Sequence, residues 1–201
     1  MCTGKCSKVI AVSLYVLAGV SILCNIIAFF PGWSVEYAKV DSEGNGARIT
    51  DEVKYMGGLI GGGLMCLVPA IHIHLTSSNG CCANRCGMFL SIGFAAAGVV
   101  GALYSLSTSA LGLSNGPVCL YKPKTGTEMW GRPFLEDEGN YLGNTSLWNT
   151  CIEPDNVVEF NVGLFATLLV AACVELVLCA IQMVNGLFGC LCGTCSSKEE
   201  V

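Results

Sequence analysis

The sequence predicts an all-α membrane protein, a four-helix transmembrane bundle with one large disulfide-closed extracellular loop. Three observations predict this class. The composition is 53% apolar and only 12% charged, against roughly 25% charged residues in a soluble domain. Four apolar runs are each long enough to cross a bilayer, and the longest segment between them carries a glycosylation sequon and two cysteines. With 201 residues, the chain is expected to form a single membrane domain.

The apolar runs predict transmembrane helices over residues 9–30, 56–75, 88–113 and 160–188. A helix needs about 20 residues to cross a hydrocarbon layer of about 30 Å, and its backbone polar groups must be satisfied within the segment. The first run is longer than the apolar region of a usual signal peptide and lacks a small-residue cleavage site after it. We therefore expect it to be retained as a helix.

An even number of spans places both termini on the same side of the membrane. Lys5 and Lys8 precede the first span and favour a cytosolic amino terminus under the positive-inside rule. Loops 31–55 and 114–159 are then extracellular, and loop 76–87 is cytosolic together with both tails. The sequon Asn144-Thr145-Ser146 supports this orientation, because glycans are added to such sites on the lumenal side.

The 114–159 loop contains Cys119 and Cys151, whereas the 31–55 loop contains no cysteine. An isolated pair in an oxidising compartment is most simply a disulfide, and closing a loop of this length stabilises it by about 3–4 kcal/mol on the chain-entropy model. The alternative is a chance sequon and two free thiols. The same loop is expected to form a small core from its aromatic residues, which are Tyr121, Trp130, Phe134, Tyr141 and Trp148.

Most other cysteines lie just outside the predicted spans, on the cytosolic side. Juxtamembrane cysteines are typical acceptors for S-palmitoylation, so we expect acylation among Cys2, Cys6, Cys81, Cys82, Cys86, Cys190, Cys192 and Cys195. Two alternatives remain. Thiolates are good zinc ligands, although these segments are too short for a usual zinc ribbon or finger, and C-x-x-C at 192–195 is a redox motif, although it lacks a βαβ context.

The second span begins with glycines at helical spacing, Gly57, Gly58, Gly61 and Gly62. Small residues four apart let helix backbones approach closely, either within this bundle or against a partner helix. Gly93 with Ala97, and Gly98 with Ala102, repeat the pattern in the third span. Pro69 removes one backbone donor, so we expect a kink between residues 65 and 69.

Glu175 lies near the middle of the fourth span, where an acid is costly and suggests a functional site. Gln182 is seven residues later on the same face, and Asn25 lies in the first span but too far in depth to pair with Glu175. The better-placed partners are Tyr15, Tyr104 and Ser105. Three roles stay open for Glu175: an interhelical hydrogen bond, a cavity or sterol contact, and ion or proton transport.

The sequence indicates neither catalysis nor a cofactor or metal site. The net charge of −5 argues against nucleic acid. His72 and His74, the only histidines, are two residues apart and therefore point to different helix faces, which makes them a poor metal pair. The carboxy-terminal residues 198–201, KEEV, could bind a PDZ domain, with a plain solvated tail as the alternative.

The chain resembles the transmembrane-four L-six family of tetraspanin-like surface proteins. The motifs that carry the resemblance run nearly end to end, namely MCTGKC, CNIIAFFPG, GGLIGGGLMCLVPA, SALGLSNGPVCL, YLGNTSLWNTCIEP and VELVLCAIQMVNGLFGCLCGTC. The resemblance implies a palmitoylated, glycosylated, non-enzymatic protein that organises other membrane proteins. This chain departs from the family at Asn161-Val162-Gly163, which lacks the hydroxyl residue of a second sequon, at Phe160, which replaces the usual Trp, and in its reduced short loop.

The leading interpretation is a non-catalytic membrane organiser that associates laterally with surface receptors or adhesion proteins and modulates growth, adhesion or motility. Its expected partners are membrane lipids, including a sterol, other membrane proteins and further copies of itself, in the plasma membrane and in endosomal or lysosomal membranes. The alternative is a small-solute channel or transporter subunit that uses Glu175, and a third class, a thiol oxidoreductase, would use Cys192 and Cys195.

Overall fold

The apolar runs form long helices that pack side by side. The computed structural model describes residues 3–39, 48–77, 85–123, 126–136 and 140–192. Its helices are α1 (Thr3–Ala28), α2 (Asp51–Lys54), α3 (Met65–Ser77), α4 (Arg85–Asn115), α5 (Pro133–Glu136) and α6 (Val157–Cys192), and its strands are β1 (Cys119–Tyr121), β2 (Met129–Gly131) and β3 (Cys151–Glu153). A π-helical segment, Gly57–Leu64, leads directly into α3.

Four helical segments are long and apolar enough to cross a membrane, which confirms the predicted four-helix class. They are Lys5–Ala28, Gly57–Leu75, Phe89–Asn115 and Val157–Phe188. The first span ends two residues earlier than predicted, because Pro31 disfavours helical backbone in the residue before it and opens a short 3₁₀ turn, Pro31–Trp33. The helices also extend beyond the predicted spans, since a helix does not stop where the apolar run stops.

The α1 helix packs against α3 and α6, and α4 packs against α3 and α6. Much of the buried interior consists of small or medium-sized side chains, with a core cluster of Ile10, Ala11, Leu14, Ala70, Ile73 and Cys179. We call the end of the bundle near Ala28, Gly57, Asn115 and Val157 the head end, and the opposite end the tail end. Larger apolar side chains mostly point outwards from the spans, as expected of helices surrounded by lipid.

The polar segments at the head end fold into a structured head, and the prediction of an all-α chain missed its three-stranded antiparallel sheet of order β2-β1-β3. Each strand has three residues, too few for a periodic pattern to stand out in the sequence. The predicted Cys119–Cys151 disulfide is present, with the two Cα atoms 5.6 Å apart. It joins β1 to β3.

The predicted aromatic core of the large loop lies beside this disulfide. Phe134 and Tyr141 stack with ring centroids 4.4 Å apart, and the cluster includes Cys119, Tyr121, Phe134, Tyr141, Val157 and Val158. Trp130 differs from the prediction. The ring centroids of Trp130 and Tyr37 are 5.9 Å apart, and the Arg48 guanidinium carbon lies 4.8 Å from the Trp130 centroid. Trp130 therefore joins the large loop to the first loop instead.

The glycine-rich start of the second span is π-helical and faces two neighbours. A Cβ at Gly61 would lie 2.5 Å from the Gly101 carbonyl oxygen of α4, and a Cβ at Gly58 would lie 2.8 Å from the Ser21 carbonyl oxygen of α1. These glycines therefore pack within the bundle. The π-helical segment gives way to regular α-helix at Met65, one turn before Pro69, so irregular helix geometry precedes the proline.

Candidate functional site

Polar side chains inside the bundle form hydrogen bonds at several depths, and one set lies at the tail end. Ser7 of α1 donates to the Gln182 side-chain oxygen at 3.3 Å and accepts from Asn185 at 2.8 Å. Gln182 also donates to Ser91 of α4 at 3.5 Å. These contacts bring the starts of α1 and α4 to the same level as the end of α6.

Glu175 lies at the middle level and is completely enclosed, with 0% exposure. Ser21 of α1 donates to one carboxylate oxygen at 3.3 Å, and the Cys66 thiol of α3 donates to the other at 3.7 Å. A Cβ at Gly62 would lie 3.1 Å from the same carboxylate. The acid therefore joins three spans through hydrogen bonds, which is the first of its three predicted roles, and its enclosure keeps a lipid-dissolved sterol from contacting it.

The partners predicted for Glu175 were wrong. Tyr104 donates to the Tyr55 carbonyl oxygen at 2.7 Å, the Tyr15 ring lies 6.0 Å from His74, and the Ser105 backbone packs against the Gly61 position. Rotation of each helix about its axis decides which side chains meet, and the apolar pattern of a helix that is hydrophobic all round does not encode that rotation. Nothing in the sequence singled out Ser21 as a partner of Glu175.

Asn25 does not pair with Glu175, as predicted, although the predicted difference in depth is too large: Ser21, which contacts Glu175, lies only one helical turn from Asn25. Its side-chain oxygen accepts from the Leu59 amide at 2.8 Å. Leu59 lies in the first turn of the π-helical segment, where backbone N–H groups have no partner within the helix. Asn25 thus caps the second span from the neighbouring helix, and replacing it would leave a donor unsatisfied in an apolar layer.

Asn161, the position of the broken sequon, lies inside the bundle near the head end. Its side chain donates to the Gly112 carbonyl oxygen at 3.3 Å, and the Thr50 hydroxyl donates to its amide oxygen at 3.5 Å. A glycan at this buried position would have no room. The loss of the sequon therefore coincides with a structural role for the asparagine.

A charged cluster joins the large loop to the start of the second span. Arg132 donates to the two Glu52 carboxylate oxygens at 2.9 and 2.8 Å and to Asp51 at 3.1 Å. Asn115 donates to Glu52 at 2.7 Å. Burial raises the pKa of Glu52, but the hydrogen bonds from Arg132 and Asn115 outweigh it and hold the pKa below its ordinary value. Sequence reasoning missed this cluster, because its members are far apart along the chain.

The sequon asparagine is exposed at the surface of the head. Asn144 precedes a 3₁₀ turn, Thr145–Thr150, and its side-chain oxygen accepts from the Ser146 amide at 3.2 Å and from the Ser146 hydroxyl at 2.6 Å. Trp148 in the same turn donates from Nε1 to the Tyr141 carbonyl oxygen at 2.9 Å. Tyr141 in turn donates to the Leu113 carbonyl oxygen, and burial raises its pKa to about 12.

The predicted acylation cysteines are only partly within the described residues. Cys6 is exposed and Cys190 is half-buried, and both lie at the tail end. For Cys86 and Cys192 only the helical backbone is described, and Cys2, Cys81, Cys82 and Cys195 lie outside the described residues, as does the KEEV terminus. Within the described part of the chain, no three His, Cys, Asp or Glu side chains converge as metal ligands.

Comparisons with known proteins agree along the whole chain. The family model for L6 membrane proteins matches residues 1–196. The human transmembrane 4 L6 family member 5 is 41% identical over 205 residues, which is 100% of this chain and 98% of that protein. Member 4 from Rattus norvegicus is 42% identical over 97% of this chain and 94% of its own length, and human member 1 is 39% identical over 100% and 98%.

No solved structure matches the chain. The relatives' names describe membrane proteins and no enzyme, and a multi-pass protein of the plasma membrane is consistent with the family. The disulfide-closed head, the four candidate spans and the match over residues 1–196 lead to one conclusion: this chain belongs to the L6 membrane protein family.

Proposed function

We propose that the protein is a non-catalytic membrane organiser that associates laterally with surface receptors or adhesion proteins. Through these partners it modulates growth, adhesion or motility. The family supports the coarser role of a tetraspanin-like membrane organiser. Its partners include further copies of the chain, and endosomal or lysosomal membranes are additional sites of residence.

The observation that carries this proposal is the contrast between the interior and the head. Several interior polar side chains, namely Glu175, Ser7 and Gln182, form hydrogen bonds between helices. The head carries exposed apolar side chains outside the candidate spans, namely Met129 (50% exposed), Leu135 (60%) and Ile152 (43%). Exposed apolar side chains favour protein–protein contact where they form one contiguous patch, and we propose that these three side chains belong to such a patch.

The orientation belongs to the same proposal. The head is extracellular, Asn144 carries a glycan, and the tail end with its cysteines faces the cytosol and is palmitoylated. The joined tail ends of α1, α4 and α6 support this, because they hold cysteines that are distant in sequence at one depth. Each buried CH₂ of an acyl chain contributes about 0.8 kcal/mol of membrane affinity, so acylation would govern lateral sorting rather than anchoring.

Proximity labelling in cells tests the organiser proposal. We expect surface receptors or adhesion proteins among the labelled neighbours of the wild type. A variant with Met129→Ser, Leu135→Ser and Ile152→Ser should lose them. The matched control changes two exposed polar residues of the same head, Lys122→Ser and Glu128→Ser, and should keep them.

The cysteines require a separate arm of the experiment. Changing Cys2, Cys6, Cys81, Cys82, Cys86, Cys190, Cys192 and Cys195 to Ser should alter the neighbours without removing the protein from membranes. An unchanged set of neighbours in the apolar head variant would contradict recognition through the head, and an unchanged set in the cysteine variant would contradict sorting by acylation.

A further inference from the structure

An open groove of about 530 Å³ lies between α1 and α6 at the head end. Its walls include Ile27 of α1 and Trp33, the last residue of the 3₁₀ turn. The α6 helix contributes Glu159, Phe160, Gly163 and Leu164. The groove takes no part in the contacts that join the helices through Glu175, Asn25 or Gln182. Its volume falls in the range of small-molecule sites.

The groove crosses the boundary of the hydrocarbon layer. The first candidate span ends at Ala28 and the fourth begins at Val157, so Ile27 and Glu159 lie at the edge of the apolar layer and Leu164 lies within it. Trp33 is 79% exposed just beyond the end of the first span, where tryptophan is typical of the membrane–water interface. A molecule in this groove would therefore have one end in the interface and the rest in hydrocarbon.

The interfacial end combines a negative charge with aromatic rings. Among the described residues that line the groove, Glu159 alone is ionisable. Trp33 and Phe160 meet edge to face, with centroids 6.1 Å apart and an interplanar angle of 74°. Carboxylates and aromatic faces both attract cations, and quaternary ammonium groups are often bound by aromatic side chains. An anionic headgroup would be repelled at the same place.

The apolar end has space for a hydrocarbon chain. A Cβ built at Gly163 meets no atom within 4 Å, so the absence of a side chain keeps this part of the groove open. From Glu159 to Thr167 the helix rises about 12 Å, which gives an apolar path of that length below the headgroup end.

We propose that this groove binds a phospholipid with a choline headgroup, its quaternary ammonium against Trp33 and Glu159 and one acyl chain along Gly163 and Leu164. A sterol would leave the carboxylate without a partner of opposite charge. A transmembrane helix from another protein would bury Glu159 unpaired, which is costly. The lipid site is independent of the receptor association proposed for the head.

The test measures which lipids remain on the full chain after purification in detergent supplemented with equal amounts of phosphatidylcholine, phosphatidylglycerol and cholesterol. Native mass spectrometry reports the bound molecules. We expect one retained phosphatidylcholine on the wild type. Gly163→Leu should reduce that retention about fivefold or more, since its Cβ has room and the rest of the side chain occupies the space of the acyl chain. Glu159→Gln should reduce the preference for phosphatidylcholine over phosphatidylglycerol.

The matched control is Gly93→Leu in α4, because Gly93 also faces open space within a candidate span. It should retain phosphatidylcholine like the wild type. Equal retention by Gly163→Leu and Gly93→Leu would overturn the proposal. So would wild-type retention of no lipid, of phosphatidylglycerol or cholesterol in preference to phosphatidylcholine, or of a second protein chain that Gly163→Leu displaces.

Discussion

Gly61 and Gly93 differ in how closely neighbouring atoms pack against them. The Gly61 Cβ position lies between two backbone atoms of α4, 2.5 Å from the Gly101 carbonyl oxygen and 2.9 Å from the Ser105 amide nitrogen. Backbone atoms cannot rotate away as a flexible side chain can. Gly93 has no atom within 4 Å of the equivalent position. The sequence shows both as glycines in small-xxx-small patterns, and only the structure separates them.

We therefore expect Gly61→Ala to lower the free energy of unfolding by about 1–3 kcal/mol through overpacking. Gly93→Ala should leave it unchanged or raise it by about 0.5–1 kcal/mol, since alanine favours helix over glycine. Thermal unfolding of the purified protein in detergent measures both. Equal loss of stability in the two variants would contradict the assigned packing of the glycine-rich segment.

Glu175 is expected to act through its hydrogen bonds and volume rather than through its charge. Glu175→Gln keeps an oxygen that can accept from Ser21, so it should change stability by less than about 1 kcal/mol. Glu175→Ala leaves a cavity and removes the acceptor of the Ser21 hydroxyl, and it should cost about 2 kcal/mol or more. Val177→Ala, at an exposed position of the same helix, is the control.

The channel alternative gives a different result for the same variant. If Glu175 carried ions or protons, the wild type would conduct a solute or proton flux in proteoliposomes that Glu175→Gln abolishes. The structural role instead predicts no such flux and an unfolding temperature of Glu175→Gln close to that of the wild type.

At the scale of elements, the start of the second span depends on its neighbours. The π-helical segment is rich in glycine, which destabilises helices, and the Leu59 amide in its first turn donates a hydrogen bond to the side-chain oxygen of Asn25 of α1. The charged cluster then fixes the large loop beside it, because Arg132 joins β2 and α5 to Glu52 of α2. The second span and the large loop are thus held in place at the same point.

This cluster should respond to acid. The folded pKa of Glu52 lies below its ordinary value of 4.5, so the stability that it contributes is complete above pH 4.5 and is lost as the pH falls through the folded pKa. We expect hydrogen exchange of the β2 amides, corrected for the intrinsic rate, to be unchanged between pH 7 and about pH 5 and to accelerate at lower pH.

Glu52→Gln should remove the acid-dependent step and accelerate exchange at neutral pH. Glu128→Gln, at an exposed position just before β2, should behave like the wild type. Arg132→Lys should also accelerate exchange, because lysine cannot reproduce the two-point contact with one carboxylate. An acid response that persists unchanged in Glu52→Gln would show that another group controls the loop.

At the scale of the whole molecule, the proposed orientation makes a direct prediction. Asn144 is exposed and its side chain is positioned by Ser146, so we expect an endoglycosidase to increase the gel mobility of protein made in mammalian cells. Asn144→Gln should abolish the shift. Asn140→Gln, at an exposed asparagine of the same loop without a sequon, should retain it.

A second measurement separates orientation from glycan addition. A tag placed beside Asn144 should be reached by antibodies on intact cells, and a tag on the carboxy terminus only after permeabilisation. The reverse pattern would invert the proposed orientation, and accessibility of the head without a glycan would contradict glycosylation alone.

Much of the architecture follows from local features of the sequence. Four apolar runs predict four spans because hydrocarbon leaves the backbone no other partner, and Cys119 and Cys151 predict a disulfide because they are an isolated pair in one polar loop. The three short strands were not predictable because three residues are too few for a periodic pattern. The role of Trp130 was not predictable because its partners Tyr37 and Arg48 belong to the other extracellular loop.

The sequence by itself determined that this chain is a four-span membrane protein with a disulfide-closed loop, because length and hydrophobicity decide the cost of leaving water. Only the tertiary structure decided that Glu175 meets Ser21 and Cys66, that Asn25 caps the second span, and that Arg132 holds Glu52. Those pairings depend on helix rotation and depth. Apolar helices carry little periodic signal for either, because both lipid and the protein interior accept the same side chains.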